Sequence, residues 1–203
     1  MSAKVAKTLK KAVDSNVRHP PFMRITIPAQ MAKAAPPLGP QLGKRNINIA
    51  NFCKDFNERT NGIKPGTPVP CNITLNPDRS YTLVTETPPI WHLVRLAAGC
   101  KQGSSKPNEE VSGRISLKHV YEIALVKKQD EYRKSLSLES LCKQILTIAN
   151  TIGIEVVSPD QLKEDPSIYS PASYQDFLKQ RDLFLQQKKA ELQEKKQSKM
   201  LRL

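Results

Sequence analysis

Apolar and polar residues alternate along FMRITIPAQ, from Phe22 to Gln30, with the two-residue period of a half-buried strand. The stretch CNITLNPDRSYTLVTE, from Cys71 to Glu86, repeats that alternation on either side of Asn76, Pro77 and Asp78. Those three residue types favour turns, so a hairpin is predicted there. Between these segments the period changes. NINIANFCKDFNERT sets Ile49, Phe52, Cys53 and Phe56 at helical intervals, which predicts a helix with Phe52 and Phe56 in a core. A small α+β domain over residues 21–86 follows from these elements.

ETPP then interrupts the pattern, and Pro88 and Pro89 make a short, stiff connector that serves as the candidate hinge between domains. Beyond it the periodicity is helical. Ile90, Leu93, Val94 and Ala97 form one apolar stripe, and Leu117, Val120, Tyr121, Ala124 and Leu125 form a second. Leu138, Leu141, Ile145, Ile148 and Ile152 form the third, with Gly153 as its stop and IEVV as a short closing strand. Burying three stripes together predicts a three-helix domain over residues 87–158, in which the polar, glycine-rich run from Gly99 to Arg114 is a long loop. Residues 159–203 make a charged extension, in which Ser170 and Pro171 start a helix that runs through QQKKAELQEKKQSK. The expected fold class is α+β: the small N-terminal domain, the proline linker, the helical domain and the helical extension.

Composition changes the picture by naming a partner. The 203 residues carry a net charge of +13, which suits a polyanion because Lys and Arg release counterions condensed on nucleic acid. Aromatic residues make up only 5 % of the chain, too few for broad base-stacking platforms. Cys53, Cys71, Cys100 and Cys142 stand far apart without a CxxC pair, and the three histidines complete no zinc pattern, so reduced structural thiols and no metal are expected. No catalytic constellation of His, Cys and carboxylate is visible, and neither an enzyme nor a cofactor is expected. No apolar run is long enough to span a bilayer, and no membrane partner is expected. Residues 1–20 are basic, with Val5, Leu9, Ala12 and Val13 among Lys4, Lys7, Lys10 and Lys11. Such a leader suits an organelle-targeting peptide, and equally a basic tail lying on RNA.

PPLGPQLGKRNINIANFCKDFNERT poses a separate question, because its glycines precede a Gly-Lys pair as in a phosphate-binding loop. The interval from Gly39 to Gly43 is one residue too short for that loop, and Arg45 stands where Ser or Thr should bind the metal. Pro36, Pro37 and Pro40 also lack the N–H groups that an anion cradle would use. A preformed surface for a large partner fits better, since fixed φ angles lower the entropy lost on binding.

The third helical stripe has an opposite face of Ser140, Lys143, Thr147, Asn150 and Thr151, small and polar with one positive charge. A face of this kind can approach a nucleic-acid groove closely. Lys101, Lys106 and Arg114 in the loop and Lys118 on the second helix add positive charge, so these residues form the candidate RNA-binding set.

Four ordered segments now carry a resemblance. PPLGPQLGKRNINIANFCKDFNERT, NPDRSYTLVTETPP, LAAGCKQGSSKPN and GRISLKHVYEIA resemble the signature stretches of the large-subunit ribosomal protein L-eleven family, the stalk-base protein, from about Arg24 to Val157. PPLGP with LKHVYEIA is most similar to the mitochondrial branch, which implies the mitochondrial matrix; the bacterial cytoplasm is the alternative. The resemblance implies a structural role in the large subunit, with the helical domain on large-subunit rRNA at the GTPase-associated region. It also implies neighbouring stalk ribosomal proteins and translational GTPases of the elongation factor G type as partners. Pro36, Pro37, Gly39, Pro40 and Gly43 would face the factors and the site of thiazole antibiotics. The chain departs from the family pattern in three places. Thr147 and Ile148 replace a usual Gly followed by Ser or Thr, Asn150 replaces a usual Arg, and Gln30 replaces a common Gly.

Overall fold

The computed structural model describes residues 20–76, 80–107, 109–164 and 170–200. The basic leader, and Pro77 and Asp78 of the expected hairpin turn, lie outside them. Contacts divide the chain into two compact units, Met1–Pro88 and Pro89–Leu203, so the division falls between the two linker prolines.

In the first unit, strands β1 (Phe22–Pro28), β2 (Pro68–Leu75) and β3 (Tyr81–Thr85) form an antiparallel sheet in the order β1-β2-β3, with Ile25 opposite Cys71 and Asn72 opposite Val84. Helices α1 (Leu38–Gly43) and α2 (Ile49–Arg59) belong to the same unit. Asn48 caps α2, its side-chain oxygen accepting from the N–H groups of Ala50 and Asn51, which would otherwise lack partners. As the helical spacing predicts, Phe52 and Phe56 are fully buried, packed with Leu42, Val69, Ile73 and Leu83.

Gln30, one of the departures from the family pattern, has φ of +59°, a left-handed conformation that glycine adopts most easily. Hydrogen bonds hold it there. Its N–H donates to Thr60 Oγ1 at 3.1 Å, and its amide Nε2 donates to the carbonyls of Asn61 and Ile63 at 2.9 and 2.8 Å.

The second unit contains α3 (Ile90–Ala97), β4 (Gly113–Ser116), α4 (Leu117–Lys128), α5 (Leu138–Ile152), β5 (Ile154–Val157), α6 (Pro159–Glu164) and α7 (Pro171–Met200). The three expected helices are present and bury Ile90, Val94, Val120, Ala124, Leu141 and Ile145 in one core. Ser137 caps α5, and Gly153 ends it at φ +77°. A Cβ at Gly153 would sit 3.0 Å from the carbonyl oxygen of Glu110 and 3.3 Å from Pro107 Cα, so this glycine allows both the turn and the close approach of the preceding loop.

Two expectations are corrected. The run from Gly99 to Arg114 is not loop throughout. Its last two residues begin β4, which pairs in parallel with β5, Gly113 opposite Ile154 and Ile115 opposite Val156. Ile115 is fully buried, and this apolar anchor pulls the end of the polar run into the sheet. Of the stripe expected on α4, Val120 and Ala124 are buried, whereas Leu117, Tyr121 and Leu125 face outward, at 41 %, 48 % and 40 % exposure. Ile123 and Lys127 complete the buried face in their place. Lys127 can be there because Asp130 receives its ammonium in the core.

Candidate nucleic-acid interface

Helix α5 turns Leu141, Ile145 and Ala149 into the core, which forces Lys143, Thr147, Asn150 and Thr151 outward. All four are exposed, and Ser140 is half-buried. Thr147 Oγ1 donates to the carbonyl of Lys143 at 3.0 Å, and Thr151 Oγ1 donates to that of Ile148 at 2.8 Å. With their protons committed to the helix, these hydroxyls present lone pairs to the outside. They can therefore accept from a donor such as an RNA 2′-hydroxyl or a base amino group. Asn150 adds an exposed amide that can both donate and accept. Lys143 Nζ lies 2.7 Å from Glu139 Oε1, but both side chains are open to solvent, so the pair can exchange cheaply for a phosphate.

The loop preceding β4 lies against this helix end. Ser104 N–H donates to the carbonyl of Ile152 at 2.8 Å, and Ser112 N–H donates to that of Gly153 at 2.6 Å. Pro107 thereby joins Thr147, Asn150 and Thr151 around one shallow, open depression. Lys106, next to Pro107, pairs with Glu109 at 2.6 Å on the exposed surface. Thus the structure brings Lys106, with its neighbour Pro107, to the same end of the unit as Thr147, Asn150 and Thr151, and Lys143 shares their helix face.

Lys101 and Arg114 belong to a different surface. Lys101 Nζ is 2.7 Å from Asp182 of α7. Arg114 Nε is 2.9 Å from Glu155, with its guanidinium 5.3 Å from the Phe177 ring centre. Lys118 is exposed in the first turn of α4. The docked face of α7 carries only a sparse apolar spacing, Tyr174, Leu178 and Leu185, and Arg181, Asp182 and Lys188 make the rest of the contact.

In the first unit, Leu38, Gly39, Pro40 and Gly43 belong to helix α1. Pro40 stands in the first turn, where a helix has no use for its missing N–H. A Cβ at Gly39 would come within 3.0 Å of the Ala34 carbonyl oxygen, so the close fit of α1 requires glycine. Pro36 and Pro37 line an apolar groove of about 250 Å³ with Ile25, Pro28, Met31 and Leu38.

Among the described residues, no three His, Cys, Asp or Glu side chains converge as metal ligands. Nor is any helix among them long and apolar enough to cross a membrane.

An α+β unit followed by a helical unit with a small, polar outer face is the build of a nucleic-acid-binding protein. Family comparison agrees unit by unit: residues 23–81 match the N-terminal domain of ribosomal protein L11, and residues 86–156 match its RNA binding domain. The chain belongs to the ribosomal protein L11 family. It is 46 % identical over 196 residues to the large ribosomal subunit protein uL11m of Drosophila melanogaster, covering 97 % of this chain and 95 % of that one. Identity to the uL11m of Caenorhabditis elegans is 39 % over 202 residues, covering 100 % and 99 %. With the uL11m of Schizosaccharomyces pombe it is 42 % over 136 residues, covering 67 % of this chain and 94 % of that one.

Proposed function

We propose that the chain is a structural constituent of the mitochondrial large ribosomal subunit, holding large-subunit rRNA through its second unit. The observation that carries this reading is the exposed face of Lys143, Thr147, Asn150 and Thr151 beside Pro107, inside the region that matches an RNA binding domain. Its hydroxyl lone pairs and amide suit 2′-hydroxyls and base edges, while Lys143, Lys106 and Lys118 supply the charge for phosphates. The mitochondrial assignment, with the matrix as compartment, is favoured over a bacterial one because the similarity to uL11m proteins of animals spans nearly the full chain, extension included.

By family resemblance the RNA is the GTPase-associated region at the stalk base. The groove beside Pro36 and Pro37, continued by α1, is then the surface offered to translational GTPases of the elongation factor G type and to neighbouring stalk proteins. Pro88 and Pro89 act as the hinge that lets this surface move while the second unit stays on the RNA. Catalysis has no part in the role.

Sedimentation tests the reading directly. The protein should travel with mitochondrial large subunits and bind the isolated stalk-base rRNA with strong salt dependence, the affinity falling with a slope near −0.9 per neutralised duplex phosphate. A free pool that never enters the subunit, or binding indifferent to salt, refutes it.

A further inference from the structure

Helix α7 lies against the Gly99–Ser112 loop and holds it at both ends. The Tyr174 hydroxyl donates to the carbonyl of Ala98 at 2.6 Å and accepts from the N–H of Arg114 at 3.1 Å. One oxygen thus ties together the residues on either side of the loop. Four residues on, Leu178 Cδ1 comes within 3.5 Å of the Cβ position of Gly99. Arg181 Nη1 donates to the carbonyl of Val111 at 3.1 Å, Asp182 holds Lys101 at 2.7 Å, and Lys188 Nζ reaches Glu110 at 2.6 Å. Positions 174, 178, 181, 185 and 188 recur at three and four residues, so one face of α7 makes these contacts, with Leu185 beside the loop as well. From Tyr174 to Lys188 this face runs about 21 Å at 1.5 Å per residue. The loop has little apolar content of its own, yet its far side carries Lys106 and Pro107 to the helix face described above.

We propose that α7 is a splint that fixes the shape of the Gly99–Ser112 loop, and that Tyr174 is a positioning residue for RNA binding. It sets where Lys106 and Pro107 stand relative to Thr147, Asn150 and Thr151. The inference rests on the RNA-binding reading for its second half and on geometry alone for its first. The polar character of the contacts suits this role. An apolar seam would only bury surface, whereas hydrogen bonds to the carbonyls of Ala98 and Val111 and the N–H of Arg114 fix the loop backbone at defined points.

The experiment uses the full chain and two variants: Tyr174→Phe, which removes the bridging hydroxyl alone, and Asp182→Ala with Lys188→Ala, which removes the two distal ion pairs. Amide hydrogen exchange is followed at Ser104, Glu110 and Ser112, and affinity for stalk-base rRNA is measured at two salt concentrations. Both variants are expected to speed exchange in the loop while leaving the amides of α5 unchanged. They should also weaken RNA binding by about five-fold, the scale of one lost hydrogen bond. The salt slope should fall by no more than about one, the share of the single phosphate contact at Lys106 that the loop positions. Unchanged loop exchange in both variants overturns the splint. Faster exchange with parental affinity overturns the positioning role. If the parent protein binds no rRNA, the functional reading and the positioning role fall together, and the exchange measurement still decides the splint.

Discussion

Lys127 Nζ lies 2.5 Å from Asp130 Oδ2, with 2 % of one side chain and 1 % of the other exposed. This pair closes the last turn of α4 onto the short 3₁₀ turn at Glu131–Arg133 that leads to α5. Arg133 Nε stands farther off, 4.0 Å from the same carboxylate oxygen. Removing Lys127 would take from a buried carboxylate the ammonium that faces it. Lys127→Ala is expected to cost about 3–5 kcal/mol. Replacing both partners, Lys127→Met with Asp130→Leu, should recover most of the loss, because two apolar side chains carry no desolvation cost. Thermal melting of the three chains checks it, and a single variant that melts with the parent contradicts the account.

Thr147→Glu separates an RNA contact from an ordinary solvated helix face. Thr147 is exposed and bonds only to its own helix, so the free protein should keep its melting temperature. Against RNA, the new carboxylate repels phosphate and competes for Lys143 one turn away. Binding is expected to weaken by about 1–3 kcal/mol. Equal binding at fixed salt would move the RNA contact away from this face, most directly onto the loop around Lys106.

Substitution of Pro37 and Pro40 by Ser addresses the first unit. Neither change removes a hydrogen bond, since proline has no N–H to lose. At Pro40, in the first turn of α1, the change frees the unfolded backbone and should destabilise by about 0.4–1 kcal/mol. Subunits should therefore still incorporate the protein, while factor-dependent GTP turnover or sensitivity to thiazole antibiotics changes. Lost incorporation, with a normal factor response in whatever assembles, is the contrary result.

Cys71 gives a pH dependence with a definite sign. Burial, reinforced by the nearby Glu86 carboxylate, pushes its thiol from 9.0 up to about 12. The folded chain holds this proton more tightly than the unfolded chain does. The two states bind it equally below pH 9, so stability is unaffected there and falls as pH rises from 9 towards 12. Cys71→Ala should lose part of that alkaline decline in melting temperature. Alkylation of the folded protein at pH 8 should likewise spare Cys71, which is fully buried, and reach the half-buried Cys53, Cys100 and Cys142 before it. Rapid modification of Cys71 in the native chain would contradict this.

Periodicity made much of the architecture legible, and its failures share one cause. The stripe of α5 and the burial of Phe52 and Phe56 follow from spacing, because apolar residues alone carry those faces. Pro88 and Pro89 marked the division between units through their restricted backbone. On α4 the apolar pattern found Val120 and Ala124 of the inward face, but it passed over Lys127 and added Leu117, Tyr121 and Leu125, which face outward. The docking of α7 was hidden for a related reason, since the apolar spacing of Tyr174, Leu178 and Leu185 is sparse and Arg181, Asp182 and Lys188 between them read as a solvated surface until their partners on the loop are known. Among the candidate site residues, Lys143, Thr147, Asn150 and Thr151 share a face that spacing predicts. Charge alone could not show that Lys101 and Arg114 meet α7. The replacement of glycine by Gln30 was visible, but its meaning lies in a dihedral angle and in carbonyls from residues 61 and 63, which no local pattern reports.

The parallel pairing of β4 with β5 also orders events in time as the chain is synthesised. Among the described residues, β1, β2 and β3 of the first unit have all emerged by Thr85, and neighbouring strands join by direct antiparallel pairing. In the second unit, the strand at Gly113–Ser116 waits with unpaired N–H and C=O groups until Ile154–Val157 follows it out. Tyr174 arrives later still to fasten Ala98 to Arg114. Until then the half of the molecule meant for RNA exposes an unpaired strand and positive charge in a crowded compartment. A nascent chain stalled between Ser116 and Ile154 should for that reason be a preferred client of chaperones and proteases, while its first unit is already folded.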